Sequence, residues 1–552
     1  MTEQVYHSIY PDIYVPTDVS LHQFLCARNP DDVPDDKVIL EDLSLPKKRL
    51  TYGGVRRDAA IVAGGLSTQY GLRAGDAVAV LAQNSVEYSQ LAHSVMWLGG
   101  VIVGLNWLAS AYEIQHYLAI ARPKLIVVDA QFRPRVEEAL KASKRLDLKP
   151  RVVDLGGDSP ESIFKVATRG STPLPPFDLS GKDNRKHPAA IVFSSGTSGK
   201  PKGVQWSHYG AIAHLLTSRS ANPEIQNARE REVFYAPFAH MFGLLGAVLV
   251  PSYIGNYVLA MKQFNYAEWI EANSRIRATS MKMVPPTAVA ITKDPNVEKL
   301  QLDSVNTVVC AGGTLQAEVV QRLQSLLKGV SIIQAYGMSE TAVAGLRPGR
   351  SVEKSGSVGR LFPSVKLRLV DDQLRDVPLG VSGEALVKAP TVFMEYRDNP
   401  EATALEFHNG WLRTGDMLRM DKDGFLWFQD RKKEMIKYKG NQVAPAELED
   451  ILSSHPDVVE AAVCAVFDSS QQTEIPVGYV SLKPAIAEKD YPAVLERILQ
   501  HTNGLVAPYK KIRGGLHYLP TIPKNPTGKV MRAALPARVE AAKVATGRSS
   551  KL

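Results

Sequence analysis

The chain has 552 residues, more than one hydrophobic core supports, and its length therefore predicts several domains or subdomains. Its composition, with 45% hydrophobic and 22% charged residues, is that of a soluble globular protein. The net charge is +8, but lysine and arginine are spread along the chain, which excludes a nucleic-acid-binding stripe. We therefore attribute the excess of positive charge to the solvated surface.

The cysteines and the apolar runs exclude further classes of protein. Cys26, Cys310 and Cys464 are too far apart for a metal site or a disulfide framework, which fits a reducing compartment. The longest apolar run, Val95 to Leu105, has eleven residues, too few to span a membrane, so we expect it in the core. The N-terminus lacks the basic and then apolar segments of a secretory signal peptide.

The first part of the chain alternates between two kinds of pattern. Residues 1–50 are rich in proline and aspartate, and we expect them to drape over the first domain. After them, residues 76–81 and 125–128 are typical of buried strands, and the apolar positions between residues 88 and 98 fit a helix. This alternation predicts an α/β fold with a parallel sheet.

A glycine-rich loop follows the apolar strand predicted at residues 189–193. The loop, residues 194–203, reads S-S-G-T-S-G-K-P-K-G and holds three glycines, four hydroxyl side chains and two lysines. Glycine lets backbone N–H groups approach a ligand, and the other side chains add donors and positive charge, so the loop predicts a polyphosphate site. A Walker A loop is excluded, because only two residues separate Gly196 from Gly199. A flexible surface loop is the alternative.

The order and spacing of this loop resemble the phosphate loop of the adenylate-forming enzymes. These include acyl-CoA synthetases, 4-coumarate:CoA ligases, luciferases and peptide-synthetase adenylation domains. The resemblance implies that the loop binds the phosphates of ATP. The residues that it assigns to ATP are Ser194, Ser195, Gly196, Thr197, Ser198, Gly199 and Lys200.

Further segments resemble the acyl-binding region of that family. P-F-A-H-M-F-G, residues 237–243, resembles an aromatic motif in which His240 lies between the acyl group and the nucleotide; a buried core histidine is the alternative. M-V-P-P-T, residues 283–287, resembles the start of the acyl-pocket helix. The pocket residues implied by alignment are Phe242, Gly246, Val284, Ala311 and the stretch Val343, Ala344 and Gly345. Because none of them is charged and several are small, we expect an aromatic or a medium- to long-chain apolar acid.

The segment Q-A-Y-G-M-S-E, residues 334–340, resembles the family's Y-G-M-T-E signature. The resemblance implies that Tyr336 stacks on adenine, that Ser339 donates to the α-phosphate, and that Glu340 binds Mg²⁺, for which a carboxylate oxygen is a suitable ligand. The same match also assigns to the nucleotide Gln334, Ala335 and Gly337. A turn with a solvated glutamate is the alternative.

Two more signatures concern the ribose and the hinge. W-L-R-T-G-D, residues 411–416, resembles a motif in which Asp416 accepts both ribose hydroxyls. The charged segment 430–443 resembles the family's interdomain hinge, with Asp430 as the pivot; a charged linker is the alternative. By resemblance, the segment supplies Arg431, Lys437 and Gln442 to the nucleotide, and Lys439 and Gly440 to CoA.

The C-terminal part predicts a small α+β domain, with strands within residues 457–484 and 505–519 around a helix. P-K-N-P-T-G-K, residues 523–529, matches the family's catalytic-lysine loop, which makes Lys529 the expected catalytic residue together with His240 and Glu340. The final tripeptide, Ser550-Lys551-Leu552, matches the peroxisomal targeting signal, so we expect binding to the import receptor and a location in the peroxisome matrix; a chance match is the alternative.

In their order along the chain, these signatures identify it as a member of the AMP-forming acyl-CoA synthetases, similar to the 4-coumarate:CoA ligases. The implied fold is α/β, with a large multi-sheet N-terminal domain at residues 1–429 and a small mobile α+β domain at residues 430–549. The implied activity joins a carboxylic acid to coenzyme A through acyl-AMP, using ATP and Mg²⁺, without nucleic acid or a transmembrane segment. The alternatives are a luciferase-like oxygenase, a domain that loads a carrier protein, and a non-catalytic nucleotide-binding protein.

Overall fold

The structure is a computed structural model, and it describes most of the chain. The described residues are 3–142, 150–156, 161–194, 201–311, 315, 317–345, 354–432, 434–438, 441–468, 473–506, 510–524 and 528–545. Within these ranges, no helix combines the length and the apolar sequence that a membrane crossing requires.

The strands belong to six sheets. In chain order they are β1 (Tyr6–His7), β2 (Val38–Asp42), β3 (Leu45–Thr51), β4 (Ala77–Leu81), β5 (Val101–Gly104), β6 (Leu125–Val128), β7 (Arg151–Asp154), β8 (Pro188–Phe193), β9 (Gly203–Ser207), β10 (Arg231–Phe234), β11 (Tyr257–Ala260), β12 (Ser280–Met283), β13 (Thr307–Cys310), β14 (Ser331–Met338), β15 (Thr341–Gly345), β16 (Arg360–Leu361), β17 (Lys366–Val370), β18 (Gly383–Lys388), β19 (Glu395–Tyr396), β20 (Phe407–His408), β21 (Trp411–Met420), β22 (Leu426–Arg431), β23 (Ile436–Tyr438), β24 (Asn441–Val443), β25 (Val458–Asp468), β26 (Thr473–Leu482) and β27 (Leu516–Tyr518).

The helices connect these strands and cover the sheets. In chain order they are α1 (Leu21–Cys26), α2 (Tyr52–Tyr70), α3 (Val86–Trp97), α4 (Ala111–Ala121), α5 (Arg133–Ala142), α6 (Ile163–Ala167), α7 (His208–Ala221), α8 (Met241–Gly243), α9 (Val250–Ile254), α10 (Tyr266–Arg275), α11 (Pro285–Lys293), α12 (Ala317–Leu326), α13 (Pro400–Leu405), α14 (Pro445–Ser454), α15 (Tyr491–Leu505) and α16 (Pro536–Ala545). A π-helical segment, Leu244–Leu249, joins α8 to α9.

The first large sheet has the strand order β19-β9-β8-β5-β4-β6-β7, and its central strands are parallel. In β4, Val78 and Val80 face a core shared with α2 and α3, whereas Ala79 and Leu81 face a core shared with α4 and α5. Helices on both faces explain why these strands are apolar throughout rather than alternating. The strands and the helix predicted at residues 76–81, 88–98 and 125–128 correspond to β4, α3 and β6.

The N-terminal residues contribute strands that the sequence analysis did not predict. β2 pairs in parallel with β11, so that Leu40 lies opposite Val258, and β1 pairs with β17, so that Tyr6 lies opposite Leu367. These two partners, β11 and β17, are more than 200 positions away, whereas the other partner of β2 is the adjacent strand β3. The long-range pairings leave no recognisable pattern in the local sequence. Residues 1–50 are therefore part of two sheets instead of a cover on one domain.

A second α/β layer contributes part of the wall of the cavity described below. β12, β13 and β14 are parallel, with Ser280, Thr307 and Ser331 side by side. β15 continues the sheet antiparallel to β14, and β16 pairs antiparallel with β15. Because parallel strands end at the same edge of a sheet, the residues after β12, β13 and β14 lie close together. The turn from β14 to β15 contains Ser339 and Glu340.

The antiparallel sheet β1-β17-β18-β21-β20, with β22 on β21, connects this layer to the C-terminal part of the chain. In β21 and β22, Asp416 pairs with Arg431 and Met417 pairs with Asp430, so the predicted ribose-binding and hinge residues are neighbours in one hairpin. Beyond β22, the strands β23 to β27 and the helices α14 and α15 share a core of their own.

Several histidines are buried in the N-terminal layers. Burial lowers the pKa of His93 and His214 to about 4 and that of His208 to about 3. The His22 Nε2 atom lies 3.0 Å from Nδ1 of His93, and Nε2 of His93 lies 3.1 Å from the carbonyl oxygen of Val248. That carbonyl can only accept, so His93 carries its proton on Nε2 and accepts from His22.

These histidines predict a loss of stability in acid. Since the unfolded chain binds protons near pH 6.5 and folded His93 does so only near pH 4, its contribution is complete above pH 6.5 and is lost as the pH falls toward 4. The test is urea unfolding of the wild type and of His93→Gln between pH 7.5 and 4.5. As the pH falls, the free energy of unfolding should decline more steeply in the wild type, by about 1.4 kcal/mol per pH unit. Equal slopes would contradict the prediction.

Candidate active site

One large cavity follows the carboxyl ends of β12, β13 and β14, with a volume of about 1070 Å³. It extends to α7, to β21 and to the loop at residues 528–529. The residues predicted from the sequence that line it are Ser194, His240, Phe242, Gly246, Val284, Ala311, Ala335, Tyr336, Gly337, Ser339, Glu340, Asp416 and Lys529. Residues from six signatures, spread over more than 300 positions, thus meet in one cavity.

Some predicted residues lie outside the described part of the chain. These are Ser195, Gly196, Thr197, Ser198, Gly199, Lys200, Lys439 and Gly440, and the side chains of Arg431, Lys437 and Gln442. The backbones of Lys437 and Gln442 are described, and they pair directly across the β23–β24 hairpin.

Three predicted residues do not line the cavity. Gln334 is buried, and its Oε1 atom accepts a hydrogen bond of 2.7 Å from the amide of Leu315, so it supports the turn after β13. Val343 and Ala344 are fully buried in the core of the antiparallel sheet, because β15 is hydrogen-bonded between β14 and β16. Gly345, which belongs to the same predicted stretch, lines the cavity, together with Ala342.

The nucleotide end of the cavity is built around Tyr336 and Asp416. The Tyr336 hydroxyl donates a 2.7 Å hydrogen bond to Oδ2 of Asp416, and both side chains are largely buried. Gly415, next to Asp416, has a φ of 68°, a left-handed conformation that glycine adopts without a steric penalty. This hydrogen bond fixes both side chains, so the flat ring of Tyr336 and the two carboxylate oxygens of Asp416 lie at the same wall of the cavity.

Glu340 is the centre of a buried polar network. Its Oε1 atom accepts a 2.7 Å hydrogen bond from the Tyr396 hydroxyl, which also lies 3.4 Å from Oε1 of Glu406. Lys202 binds Glu406 at 2.9 Å, and its Nζ atom lies 4.4 Å from the centre of the Tyr396 ring. Burial raises the pKa of Glu340, and the hydrogen bond from Tyr396 opposes that shift.

The donor set fits a magnesium ion that arrives with the triphosphate. Among the described residues, no group of three or more histidine, cysteine, aspartate or glutamate side chains could hold a metal ion by itself. Mg²⁺ is commonly held by one or two carboxylates together with substrate phosphates, and Glu340 offers one carboxylate at the cavity wall. Bound there, the ion would neutralise phosphate charge.

His240 and Lys529 meet at the junction between the two parts of the chain. The Nδ1 atom of His240 accepts a hydrogen bond of 3.2 Å from the amide of Phe242, which places the proton of the neutral ring on Nε2. Burial, and secondly the charge of Lys529, lowers the pKa of His240 to about 4. A Cβ atom on Gly528 would lie 3.1 Å from Cγ of Pro286, so the loop that carries Lys529 packs directly on the start of α11.

The hinge residues are tied to their surroundings by ion pairs. Asp430 accepts a 3.0 Å hydrogen bond from the amide of Ala446 at the start of α14, where a carboxylate stabilises the helix. Arg532 binds Glu449 at 2.7 Å, contacts Glu434, and lies 4.0 Å from Asp430. Asp430, the predicted pivot, is therefore linked both to α14 and to the segment that follows the predicted catalytic-lysine loop.

Comparison with known proteins assigns the chain to a family. The model of the AMP-binding enzyme matches residues 26–397, and the model of the AMP-binding enzyme C-terminal domain matches residues 447–529. The chain belongs to the AMP-binding enzymes. The family assignment means that this cavity, with its Tyr336–Asp416 pair and its junction with the C-terminal domain, is that of an adenylate-forming protein.

Relatives within the AMP-binding enzymes are CoA ligases. The 4-coumarate–CoA ligase-like 8 of Arabidopsis thaliana is 33% identical over 507 residues, which cover 88% of this chain and 87% of the relative. The peroxisomal OPC-8:0-CoA ligase 1 of the same plant is 33% identical over 500 residues, 88% of each chain. The predicted membership, with similarity to the 4-coumarate–CoA ligases, is confirmed, and the chain is an acid–CoA ligase of the AMP-forming class.

Solved structures of AMP-binding enzymes share the fold. The anthranilate CoA ligase AuaEII in complex with anthranoyl-AMP has a TM-score of 0.83 and 27% identity, covering 96% of this chain and 99% of its own. ATP-bound MatB from Rhodopseudomonas palustris has a TM-score of 0.83 and 24% identity, with the same coverage. The predicted α/β fold, with a large N-terminal and a small C-terminal domain, is confirmed.

The structure of this AMP-binding enzyme also shows site residues that sequence reasoning missed. They are Lys202, Lys282, Tyr396 and Glu406 in the cavity wall, and Arg532 beside the predicted hinge. Lys202 was visible as part of the predicted phosphate loop, but its partner Glu406 is 204 positions away. Tyr396 and Arg532 stand in segments with no recognisable functional pattern, so only their contacts reveal them.

The Tyr336–Asp416 pair leads to a prediction about ATP. Asp416→Asn replaces a charged acceptor by a neutral amide, and we expect the KM for ATP to rise about ten- to a hundredfold. Tyr336→Phe removes the hydrogen bond that orients Asp416 and should raise it less. The exposed Asp423→Asn, in the hairpin after β21, is the control, and initial-rate kinetics at saturating acid is the measurement. An unchanged KM for ATP in Asp416→Asn would contradict the assignment.

Proposed function

We propose that this ligase activates an aromatic or a medium- to long-chain, mainly apolar carboxylic acid as acyl-AMP and transfers it to coenzyme A in the peroxisome matrix. The observation that carries the proposal is the single cavity in which Asp416, Glu340, Lys529 and the apolar residues around Phe242 meet. A nucleotide, a carboxylate and an acyl group can therefore be held next to one another.

In the first half-reaction, a carboxylate oxygen attacks the α-phosphorus of ATP. The new carboxyl–phosphate bond gives acyl-AMP, and pyrophosphate leaves with the electrons of the broken bond. Both reactants are negatively charged, so positive charge must be in place before they approach. Lys529 and the lysines of the 194–203 loop supply it, and Mg²⁺ on Glu340 would add to it. His240 also lines the cavity, but its pKa of about 4 leaves the ring neutral at pH 7, so it adds no positive charge of its own.

In the second half-reaction, the CoA thiol releases its proton to solvent, the resulting thiolate sulfur attacks the acyl carbonyl carbon, and AMP leaves as the carbon–oxygen bond breaks. We propose that Lys439 and Gly440 serve this step, and that residues 430–549 turn about Asp430 to exchange them for Lys529. The distance in sequence between Lys439 and Lys529, on one small domain, supports this division of labour.

The test is a panel of aromatic and aliphatic acids with ATP, Mg²⁺ and CoA, read as AMP and thioester formation. Acid-dependent formation of both products in equal amounts is the expected result. Pyrophosphate exchange without thioester would favour a different acceptor, and oxygen consumption or light with acyl-AMP would favour an oxygenase. Failure to bind ATP would favour a non-catalytic member of the fold.

The location is tested separately. A fluorescent protein fused to the N-terminus should colocalise with a peroxisomal marker in the full-length chain, and deletion of Ser550-Lys551-Leu552 should disperse it. The peroxisomal relative supports this proposal. A fusion that remains in peroxisomes without the tripeptide would contradict the assigned role of the tail.

A further inference from the structure

A charged side chain stands in the wall of the acyl end of the cavity. In β12, Met281 and Met283 pack in the core of the parallel sheet, whereas Lys282 and the next alternate residue, Val284, line the cavity. This follows from the two-residue period of a strand. The side chain of Lys282 is 10% exposed, so its ammonium group is enclosed by the protein.

Among the described residues, Lys282 has one ion-pair partner, which already balances its charge, and its Nζ atom lies 5.8 Å from the centre of the Phe234 ring. Its Nζ atom donates a 2.9 Å hydrogen bond to Oε1 of Glu232, whose side chain is 1% exposed. Asn256 donates to the same oxygen at 3.1 Å. An ammonium group has three donors, and the hydrogen bonds found among the described residues use one of them.

The space beside the ammonium group belongs to the acyl pocket. Gly246 lines the cavity, and a Cβ atom built on it would lie 3.8 Å from Nζ of Lys282 and 3.0 Å from the ring of Phe234. Any larger residue at position 246 would therefore crowd Phe234 and cover the ammonium group. With glycine there, an acyl group can approach the ammonium group.

We propose that Lys282 is a specificity residue that donates a hydrogen bond to a neutral oxygen, a ketone or a hydroxyl, on the acyl group of the acid. This inference rests on the proposed function. A wholly apolar group would bury an ammonium with unmet donors, which is costly. A second carboxylate would bring another negative charge to a buried pair that Glu232 has already neutralised. A neutral acceptor oxygen meets the donor without either penalty.

The test compares matched acids with the intact enzyme. An apolar acid is compared with its keto analogues, with the ketone at successive positions, and with the dicarboxylic acid of the same length. We expect one keto isomer to exceed both the parent acid and the dicarboxylic acid by about ten- to a hundredfold in kcat/KM. A parent acid used as well as every keto isomer would overturn the inference.

Two variants separate a specificity role from a structural one. Lys282→Met combined with Glu232→Gln removes both charges, leaves no unpaired buried ion, and should abolish the preference for the keto acid. Glu232→Gln alone leaves Lys282 without its counter-ion and should shift the preference toward the dicarboxylic acid. The exposed Lys293→Met is the matched control and should keep the wild-type preference. Equal losses with all three acids in both variants would overturn the inference.

The outcomes also distinguish this inference from the proposed function. If the wild type forms AMP and thioester with parent and keto acids at equal rates, the ligase function stands and the role of Lys282 falls. If no acid of the panel is activated, the proposed function falls, and the inference falls with it.

Discussion

Lys529→Ala is expected to slow acyl-AMP formation by at least about a thousandfold, because it removes the positive charge that the C-terminal loop brings to the reacting carboxylate and phosphate. The loop is held by the contact of Gly528 with Pro286, so the ammonium group is placed by backbone packing. The measurement is acid-dependent exchange of labelled pyrophosphate into ATP. The rate of thioester formation from presynthesised acyl-AMP should be retained, since that step does not create the phosphate–carboxylate bond.

Two further readouts make this prediction specific. Lys489→Ala, an exposed lysine on the same domain, is the control and should exchange pyrophosphate normally. Because the charge of Lys529 contributes to the low pKa of His240, Lys529→Ala should also raise that pKa from about 4, while burial keeps it below the ordinary value. Equal loss in both half-reactions would refute the proposed division between Lys529 and the Lys439-Gly440 segment.

Glu340→Gln is expected to reduce adenylation about a hundredfold or more and to raise the Mg²⁺ concentration needed for half-maximal rate. The substitution keeps the size of the side chain but removes the charge that would bind the ion. Initial rates measured over a range of Mg²⁺ concentrations test it. The exposed Glu318→Gln in α12 is the matched control. A Mg²⁺ requirement equal to that of the wild type would show that the ion is held elsewhere.

The pH dependence of the same site has a definite sign. Burial raises the pKa of Glu340, so its carboxylate takes up a proton at a higher pH than an ordinary glutamate does. The Mg²⁺ requirement of the wild type should therefore increase as the pH falls toward that pKa. Tyr396→Phe removes a hydrogen bond that favours the charged form and should move the increase to a higher pH. Glu340→Gln should lose this dependence.

Local sequence predicted the parts of the site that are contiguous. The Tyr336 segment consists of strand β14 and the turn after it, and the Asp416 segment lies within strand β21; such contiguous patterns are visible without knowledge of the partner. Gln334, Val343 and Ala344 were predicted at the site but do not line the cavity, because the face of β14 or β15 that is turned toward the cavity depends on the elements packed around the strand. Alignment to a family locates a segment along the chain but not the face on which each residue lies.

The sequence by itself determined the family, the fold class and the chemistry, because the glycine-rich loop, the Y-G-M-S-E, T-G-D and P-T-G-K segments and their order are properties of short stretches. Only the tertiary structure decided that Tyr396 and Lys202 join Glu340, that Arg532 is tied to the hinge, and that a charge at Lys282 stands in the acyl wall. The physical reason is that these contacts join residues from distant strands and helices. Their geometry exists only once the sheets have formed and packed.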